Sequence, residues 1–408
     1  MAGLGSLRGV APILIGASVM LSLAMGLRQS LGLFMQPAVK DLGIAVAEFT
    51  LAVAVQNLAW GFLQPIAGAI AARIGFRPVL MAGVLAYLAG LLLLARADGA
   101  GDVMLGAGLL VGLALACTAS GMAMAVASRP VPTAMRSTVL GMVSAAGSLG
   151  ALIAAPVGQV LSEGFGWRAG VLGFFVLGLA MLPAAWTAGR VDKVALPPAR
   201  AEASTAGAAF GLALRHGPFL VMSGAYFICG LQLVFLTTHL PSYLALCGMD
   251  PMLAAEALAV IGGCNVLGSL FFGWAGGRWS KPALLGGIYL ARSLVLGWYF
   301  SVPPTPGSTL IFAAVMGFLW LGVAPLVAGM TAEMFGLRWQ AMVQGLAFTS
   351  HQLGSFLGAF GGGLILDRFG SYDLAWQLGV GMGLVAGTVQ VLAALPLWPG
   401  TPRPAAAR

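Results

Sequence analysis

The sequence predicts an all-α membrane protein with twelve transmembrane helices in two six-helix bundles. Three observations carry that prediction. Of 408 residues, 60% are hydrophobic and only 8% are charged, with a mean hydropathy of +0.97. Soluble domains carry about 25% charged residues, so this chain cannot cover a water-facing surface. That excludes a soluble enzyme, and it excludes a nucleic-acid binder despite the net charge of +8. The length is the second observation: at about 20 residues per crossing plus short loops, there is room for roughly twelve spans. The third is that the charges fall almost entirely between the apolar runs.

The runs follow in order. The first, 11–36, is too long for the core of a secretory leader and is read as a span; Lys40, Asp41 and Gly43 follow it. The second, 48–72, lies between Glu48 and Arg73, and the third, 78–96, between Pro78 and Arg96. Asp102 and Arg129 bound the fourth, 102–127; Arg136 and Glu163 bound the fifth, 136–162; Arg168 and Arg190 bound the sixth, 167–187. Then comes the longest polar stretch, Ala188 to Gly217, with Pro197 and Pro198, read as a linker. Six more runs follow: 217–246, 252–276, 282–301, 308–334, 340–366 and 372–397. Their length selects helices, because barrel strands are about ten residues long and alternate in polarity. The domain reading is therefore an N-terminal bundle over 1–189, a cytoplasmic linker over 190–216 and a C-terminal bundle over 217–408.

Basic residues orient the chain. With the N-terminus inside, the cytoplasmic side holds Arg8, Arg73, Arg77, Arg129, Arg136, Arg190, Lys193, Arg200, Arg215, Arg278, Lys281, Arg338, Arg403 and Arg408. The other side holds only Lys40, Arg96, Arg168 and Arg368. That asymmetry is a strong positive-inside signal, and it predicts a multi-pass protein of the cell inner membrane with both termini cytoplasmic. Three acids fall inside, Asp192, Glu202 and Glu333; the other nine fall outside, and none sits mid-span. The four cysteines, Cys117, Cys229, Cys247 and Cys264, have no metal-ligand spacing and read as small apolar packing residues.

The chain also repeats itself. Gly68-Ala-Ile-Ala-Ala-Arg73-Ile-Gly75-Phe-Arg77-Pro78 follows the second span, and Gly273-Trp-Ala-Gly-Gly-Arg278-Trp-Ser-Lys281-Pro282 follows the eighth. Two six-span halves carrying one landmark point to a transporter built from repeats, with a site at the midplane. The landmark resembles the loop motif of the major facilitator superfamily, G-x-x-x-D-R-x-G-R-[RK]. Gly68, Arg73, Arg77, Gly273 and Arg278 match it as gating or loop residues. Ala72 and Gly277 stand where the family usually has Asp, an acid that helps hold a gating interaction.

Polar side chains at membrane depth are the candidate site, since charge there costs roughly 2.5–3.5 kcal/mol on insertion scales. Arg28 lies deep in the first span with no embedded acid to pair with. A guanidinium in a wet cavity binds both oxygens of a carboxylate; the bland alternative is a carbonyl contact or a gate. Arg292, in the ninth span, is as suited to a structural role as to substrate contact. His351, near the middle of the eleventh span, and His239, late in the seventh where Pro241 interrupts the helix, are the side chains within the spans able to carry a coupling proton near neutral pH. Gln56, Asn57, Tyr226, Gln232, Asn265, Ser269 and Trp320 are uncharged candidates, although such groups often serve only as interhelical glue. Asn265 and Ser269 share one helix face.

Arg28 through Phe34, followed by Lys40-Asp41-Leu42-Gly43, resembles the first span of the monocarboxylate and oxalate–formate branch of that superfamily. There a lysine at the position matching Arg28 takes part in binding or proton coupling. The eighth span departs from the branch: Asn265 and Ser269 replace an Asp and a carboxylate-binding Arg. His351 falls roughly where oxalate carriers have a basic residue.

The embedded arginines and the resemblance imply a secondary transporter of a small organic anion, a carboxylate, working by alternating access; charge balance makes a proton the natural companion, with uniport and anion exchange open beside symport. The substrate-contact set is Arg28, Gln56, Asn57, Asn265, Ser269, Arg292, Trp320 and His351; the proton set is His351 and His239. The alternative is an efflux carrier for drugs or amphiphiles, with Gly147, Gly150, Pro156 and Gly158 echoing an antiporter motif. A third reading is a transport-inactive sensor or lipid-handling protein. The implied partners are the bilayer, the small-molecule substrate and protons. No nucleic acid, cofactor, metal or enzymatic activity is implied.

Overall fold

A computed structural model of the chain describes residues 7–196 and 203–395. Pro197, Pro198, Arg200, Glu202, Arg403, Arg408 and the end of the twelfth predicted run lie outside them. All regular structure among the described residues is helical. We label the spans α1 Ala11–Leu42, α2 Val46–Ile74, α3 Phe76–Ala95, α4 Ala100–Ser128, α5 Thr133–Phe165 and α6 Trp167–Lys193. The second set is α7 Gly217–Leu246, α8 Pro251–Ala275, α9 Lys281–Phe300, α10 Pro306–Phe335, α11 Gln340–Phe369 and α12 Asp373–Leu392. Eleven of these are apolar and long enough to cross a membrane on length and composition. The twelfth, α11, is long enough at 30 residues but carries Gln344, Thr349, Ser350, His351, Gln352 and Ser355. A short helix, Ala206–Ala213, precedes α7.

Several helices depart from the simple runs. α1 continues six residues past its expected end, through a 3₁₀ turn at Leu31–Phe34. It stops at Gly43, whose φ of +63° suits glycine. Asp41 near its end pairs with Arg168 at 3.1 Å, so the charges hold the rim of the bundle. Pro241 does not interrupt α7, which runs on to Leu246. A proline inside a membrane helix removes one N–H, and the neighbouring backbone adjusts. α4 contains a π segment, Met104–Leu110, and then breaks at Ala119, whose ψ of −161° is extended. α10 breaks between Trp320 and Val323.

The described contacts divide the chain into two units. The first holds Met1–Glu202 together with Phe335–Thr349, and the second holds Ala203–Met334 and Ser350–Arg408. In the first, α1 packs on α5, α2 on α4 and α3 on α6. In the second, α8 packs on α10, α9 on α12 and α7 on α12, while α7 crosses α11. The pairing scheme of one unit is that of the other shifted by six helices, as the repeated landmark predicts. In both, the leading crossing is made by glycine. A Cβ on Gly150 would strike the Ser22 carbonyl of α1, and one on Gly354 would strike the Phe227 carbonyl of α7. Backbones touching this closely are how membrane helices pack where lipid leaves no hydrophobic drive between them.

Candidate functional site

Arg28 sits just past the α1–α5 crossing, half-buried, on the side of α1 that meets α2. Its Nε donates to Gln56 Oε1 at 3.2 Å, its Nη2 donates to Asn57 Oδ1, and its guanidinium carbon stands 5.1 Å from the Trp60 ring centre. Gln56 and Trp60 stand one turn apart on one face of α2, with Asn57 next to Gln56 in the chain. Trp60 donates in turn to Gln64 Oε1 at 2.9 Å and packs on Phe348 at 4.5 Å.

The orientation of this cluster follows from α4. Gln56 Nε2 donates to the Ala107 carbonyl at 2.6 Å, and Ala107 lies inside the π segment. A wide i→i+5 turn inserts a residue into the ladder and lets a carbonyl face outward; such turns gather at functional sites. A carbonyl only accepts, so the Gln56 amide nitrogen must face Ala107 and its oxygen must face Arg28. Asn57 is aimed likewise, its Nδ2 donating to Val53 O at 3.0 Å. Arg28 is thus held by two neutral amide oxygens and an aromatic face. Among the described residues it makes no ion pair, the ion pairs being Arg168–Asp41 and Lys281–Glu333. A guanidinium has about five N–H donors, so two amides leave it able to receive an anion. Gln56, Asn57 and Arg28 from the expected set are therefore together, and Trp60 and Gln64 belong with them. An aromatic one turn beyond Gln56 was the signal for Trp60.

In the second unit, His351 Nδ1 lies 3.2 Å from Gln352 Oε1 and 3.3 Å from Ser355 Oγ, and its ring is 4.6 Å from that of Tyr226. Ser355 gives its own hydrogen to the His351 carbonyl at 2.9 Å. Nδ1 therefore faces two acceptors and carries the hydrogen. Asn265 reaches the break in α10: its Oδ1 accepts the Leu321 N–H at 2.8 Å, one residue after Trp320. Ser269 is fully buried one turn further along α8.

Arg292 and His239 lie elsewhere in this unit. Arg292 is fully buried between α9 and α7. Its Nη1 contacts Cys229 Sγ at 3.2 Å and its Nη2 the Cys229 carbonyl at 3.5 Å. His239 is buried in an aromatic core with Phe235 and Tyr372. Its Nε2 faces the Ala359 carbonyl at 2.8 Å and so carries hydrogen, and its Nδ1 meets Tyr372 Oη at 3.0 Å. Gln232 joins Ser293 and the Gly379 carbonyl, tying α7 to α9 and α12.

The landmarks hold two acids the motif comparison missed. Gly75 has a φ of +98°, and right after it Asp192 accepts the backbone N–H groups of Phe76 at 2.7 Å and Arg77 at 2.9 Å. Asp192 thus caps the start of α3 beside the position where Ala72 replaces the usual acid. Arg77 stacks on Trp186 at 4.5 Å, and Arg73 is exposed. Gly68 lies against the backbone of Ala341 and Met342, within the first unit. At the second landmark Lys281 pairs with Glu333 of α10 at 2.6 Å, and Arg278 stacks on Trp274 at 4.3 Å; Gly273 is buried. Two of the three acids expected on the cytoplasmic side are therefore the two acids at the landmarks.

The family model described as the Major Facilitator Superfamily matches residues 15–359. The chain belongs to the major facilitator superfamily. It is a transporter, not an enzyme, and twelve helices are the family's architecture. Among curated relatives, monocarboxylate transporter 13 of Bos taurus is 27% identical over 396 residues, covering 94% of this chain and 88% of that protein. Monocarboxylate transporter 11 of Homo sapiens is 26% identical over 368 residues, covering 87% of this chain and 77% of that protein. Among solved structures, the E. coli fucose:proton symporter FucP aligns with a TM-score of 0.72 at 15% identity, covering 93% of this chain and 98% of that one. The proton:xylose symporter XylE aligns with a TM-score of 0.66 at 12% identity, with 95% of each chain covered. At those identities the structural likeness speaks for the fold of this superfamily member.

Proposed function

We propose that this major facilitator carries a small organic anion, a carboxylate, across the cell inner membrane by alternating access, with a proton as the coupling ion. The observation that carries the reading is Arg28: a membrane-depth guanidinium aimed by Gln56 and Asn57, with no ion pair among the described residues. A carboxylate would bring the negative charge this site lacks, and the Trp60 face would meet its apolar body. The likeness to monocarboxylate transporters supports the same class. Proton coupling follows from charge: a monoanion moving inward opposes the membrane potential by about 2.3 kcal/mol per 100 mV, and an accompanying proton cancels that cost. His351 is the proposed carrier, with His239 second; within the second unit Asn265, Ser269 and Trp320 are proposed contacts, and Arg292, fully buried against Cys229, is read as structural. Both termini are proposed to be cytoplasmic.

The test is uptake into proteoliposomes of radiolabelled monocarboxylates, dicarboxylates, aromatic acids and cationic amphiphiles, with and without a pH gradient. A carboxylate should accumulate, and Arg28→Gln should abolish the uptake while the protein stays monodisperse. Two charge-assisted hydrogen bonds of about 1.5 kcal/mol each place the loss of affinity near 100-fold. Carboxylate uptake unchanged in Arg28→Gln, or transport confined to cationic amphiphiles, overturns the reading and favours efflux.

A further inference from the structure

On the flank of the second unit, α7 and α12 diverge to leave a groove of about 550 Å³. Leu220, Gly224 and Ile228 form one wall and Gly381, Val385 and Val389 the other; Gln377 is the polar exception. The walls are open outward, Leu220 being 45% exposed and Val385 64%. Both helices are spans, so the medium outside is hydrocarbon. Gly224 and Gly381 have nothing within 4 Å of where a Cβ would stand. No protein side chain fills the space those glycines leave.

We propose that this groove binds one acyl chain of an anionic phospholipid, with the lipid phosphate held by Arg215. Arg215 is exposed, makes no ion pair among the described residues, and stands two residues before α7. Leu220, where the groove begins, is about 7 Å further along the chain at helical rise. The positive charge at the membrane surface and the apolar channel below it match a phosphate and its chain. Charge distinguishes this groove from a smaller one of about 300 Å³ lined by Trp279 and Leu284. There the nearby Lys281 is paired with Glu333, and Arg278 is stacked on Trp274. Shape argues against a second copy of the chain. A two-fold interface sets a patch against itself, and a groove laid on the same groove leaves a void, whereas a slender flexible chain fills it. The proposal stands apart from the anion-transport reading, because no residue of the Arg28 cluster enters it.

The experiment is native mass spectrometry of the purified full chain with equimolar palmitoyl-oleoyl phosphatidylglycerol and phosphatidylcholine. The wild type should retain one phosphatidylglycerol in preference to phosphatidylcholine by about fivefold, the worth of one basic side chain at a membrane surface. Arg215→Gln should bring the ratio to about one. Gly381→Leu and, as an independent variant, Gly224→Leu put side-chain bulk into the groove from positions where an added Cβ meets nothing within 4 Å, and should remove retention of both lipids. Retention unchanged in both leucine variants overturns the site. An equal ratio in the wild type overturns the role of Arg215. A dimer in the wild type that either leucine variant converts to monomer, with no lipid difference, assigns the groove to self-association and overturns the proposal.

Discussion

Asp192→Ala removes an acid that no motif comparison marked, and its cost follows from two distances. The carboxylate accepts the N–H groups of Phe76 and Arg77 at 2.7 and 2.9 Å, two of the donors that the start of α3 leaves without a helical partner. Loss of a helix cap costs about 1 kcal/mol, and loss of a negative charge at a helix start adds about 0.3–1 kcal/mol. Asp192 is exposed, so the charge part belongs at the low end, and the sum is about 1.5 kcal/mol. For a chain of this size that is about 3 °C or less in apparent Tm. Asp192→Asn keeps an acceptor and loses the charge, so it should fall by about a third as much. The assay is thermal unfolding of the purified protein in detergent, compared at one scan rate because such unfolding is irreversible. High salt should shrink the difference between wild type and Asp192→Asn. No shift in Asp192→Ala would refute the cap. Equal losses in both variants, indifferent to salt, would refute the charge contribution.

Burial holds the His216 imidazole below its ordinary value, and its Nδ1 accepts the Phe219 N–H at 3.3 Å, capping α7. The unfolded chain takes up that proton more readily, so the contribution is complete above about pH 6.5 and lost as pH falls below it. Apparent Tm should drop on acidification in the wild type and drop less in His216→Asn, which caps without titrating. Lys281 and Glu333 should show a coupling energy of no more than about 1 kcal/mol in a double-mutant cycle of Lys281→Met and Glu333→Gln, because Glu333 is half exposed; a larger coupling measured by denaturant unfolding would mean a dry pair. Gly354→Leu, which drives a side chain into the Phe227 carbonyl, should abolish monodisperse expression. Gly361→Leu, with open space around it, should leave elution on size-exclusion chromatography unchanged.

The fold was legible because its causes are compositional. A bilayer requires long apolar runs, and the positive-inside asymmetry and the repeated Gly and Arg landmark do not depend on packing detail. Arg28 was legible for the same reason, as charge at membrane depth announces itself in one letter. What stayed hidden depends on where helices cross. Asp192 reads as one more loop acid until α6 is seen to continue to Lys193 and bring it to Gly75. The Met104–Leu110 turn occurs in a stretch of methionine, glycine, alanine and leucine, where no polar pattern fixes the register, and the Ala119 break lies among small residues, Cys117 to Gly121, that also suit an unbroken membrane helix. His351 and Asn265 look alike in sequence as polar groups in apolar runs. Packing separates them, since Asn265 is engaged with Leu321 N while His351 faces Tyr226 and Ser355.

The π segment of α4 also bears on how sequences related to this one are compared. A wide turn is one residue more than an α-helix needs for the same length, so a relative whose helix is regular there should align with a single-position gap within Met104–Leu110. Such a gap in an apolar, glycine-rich stretch is ordinarily dismissed as alignment noise. Here it bears on the proposed anion site two helices away: a chain without the extra residue presents no outward carbonyl at Ala107, and its Gln56 amide has no reason to turn its oxygen toward the arginine. Sorting relatives by that one gap, before any side chain is compared, separates those that can aim Arg28 as this chain does from those that must hold it another way.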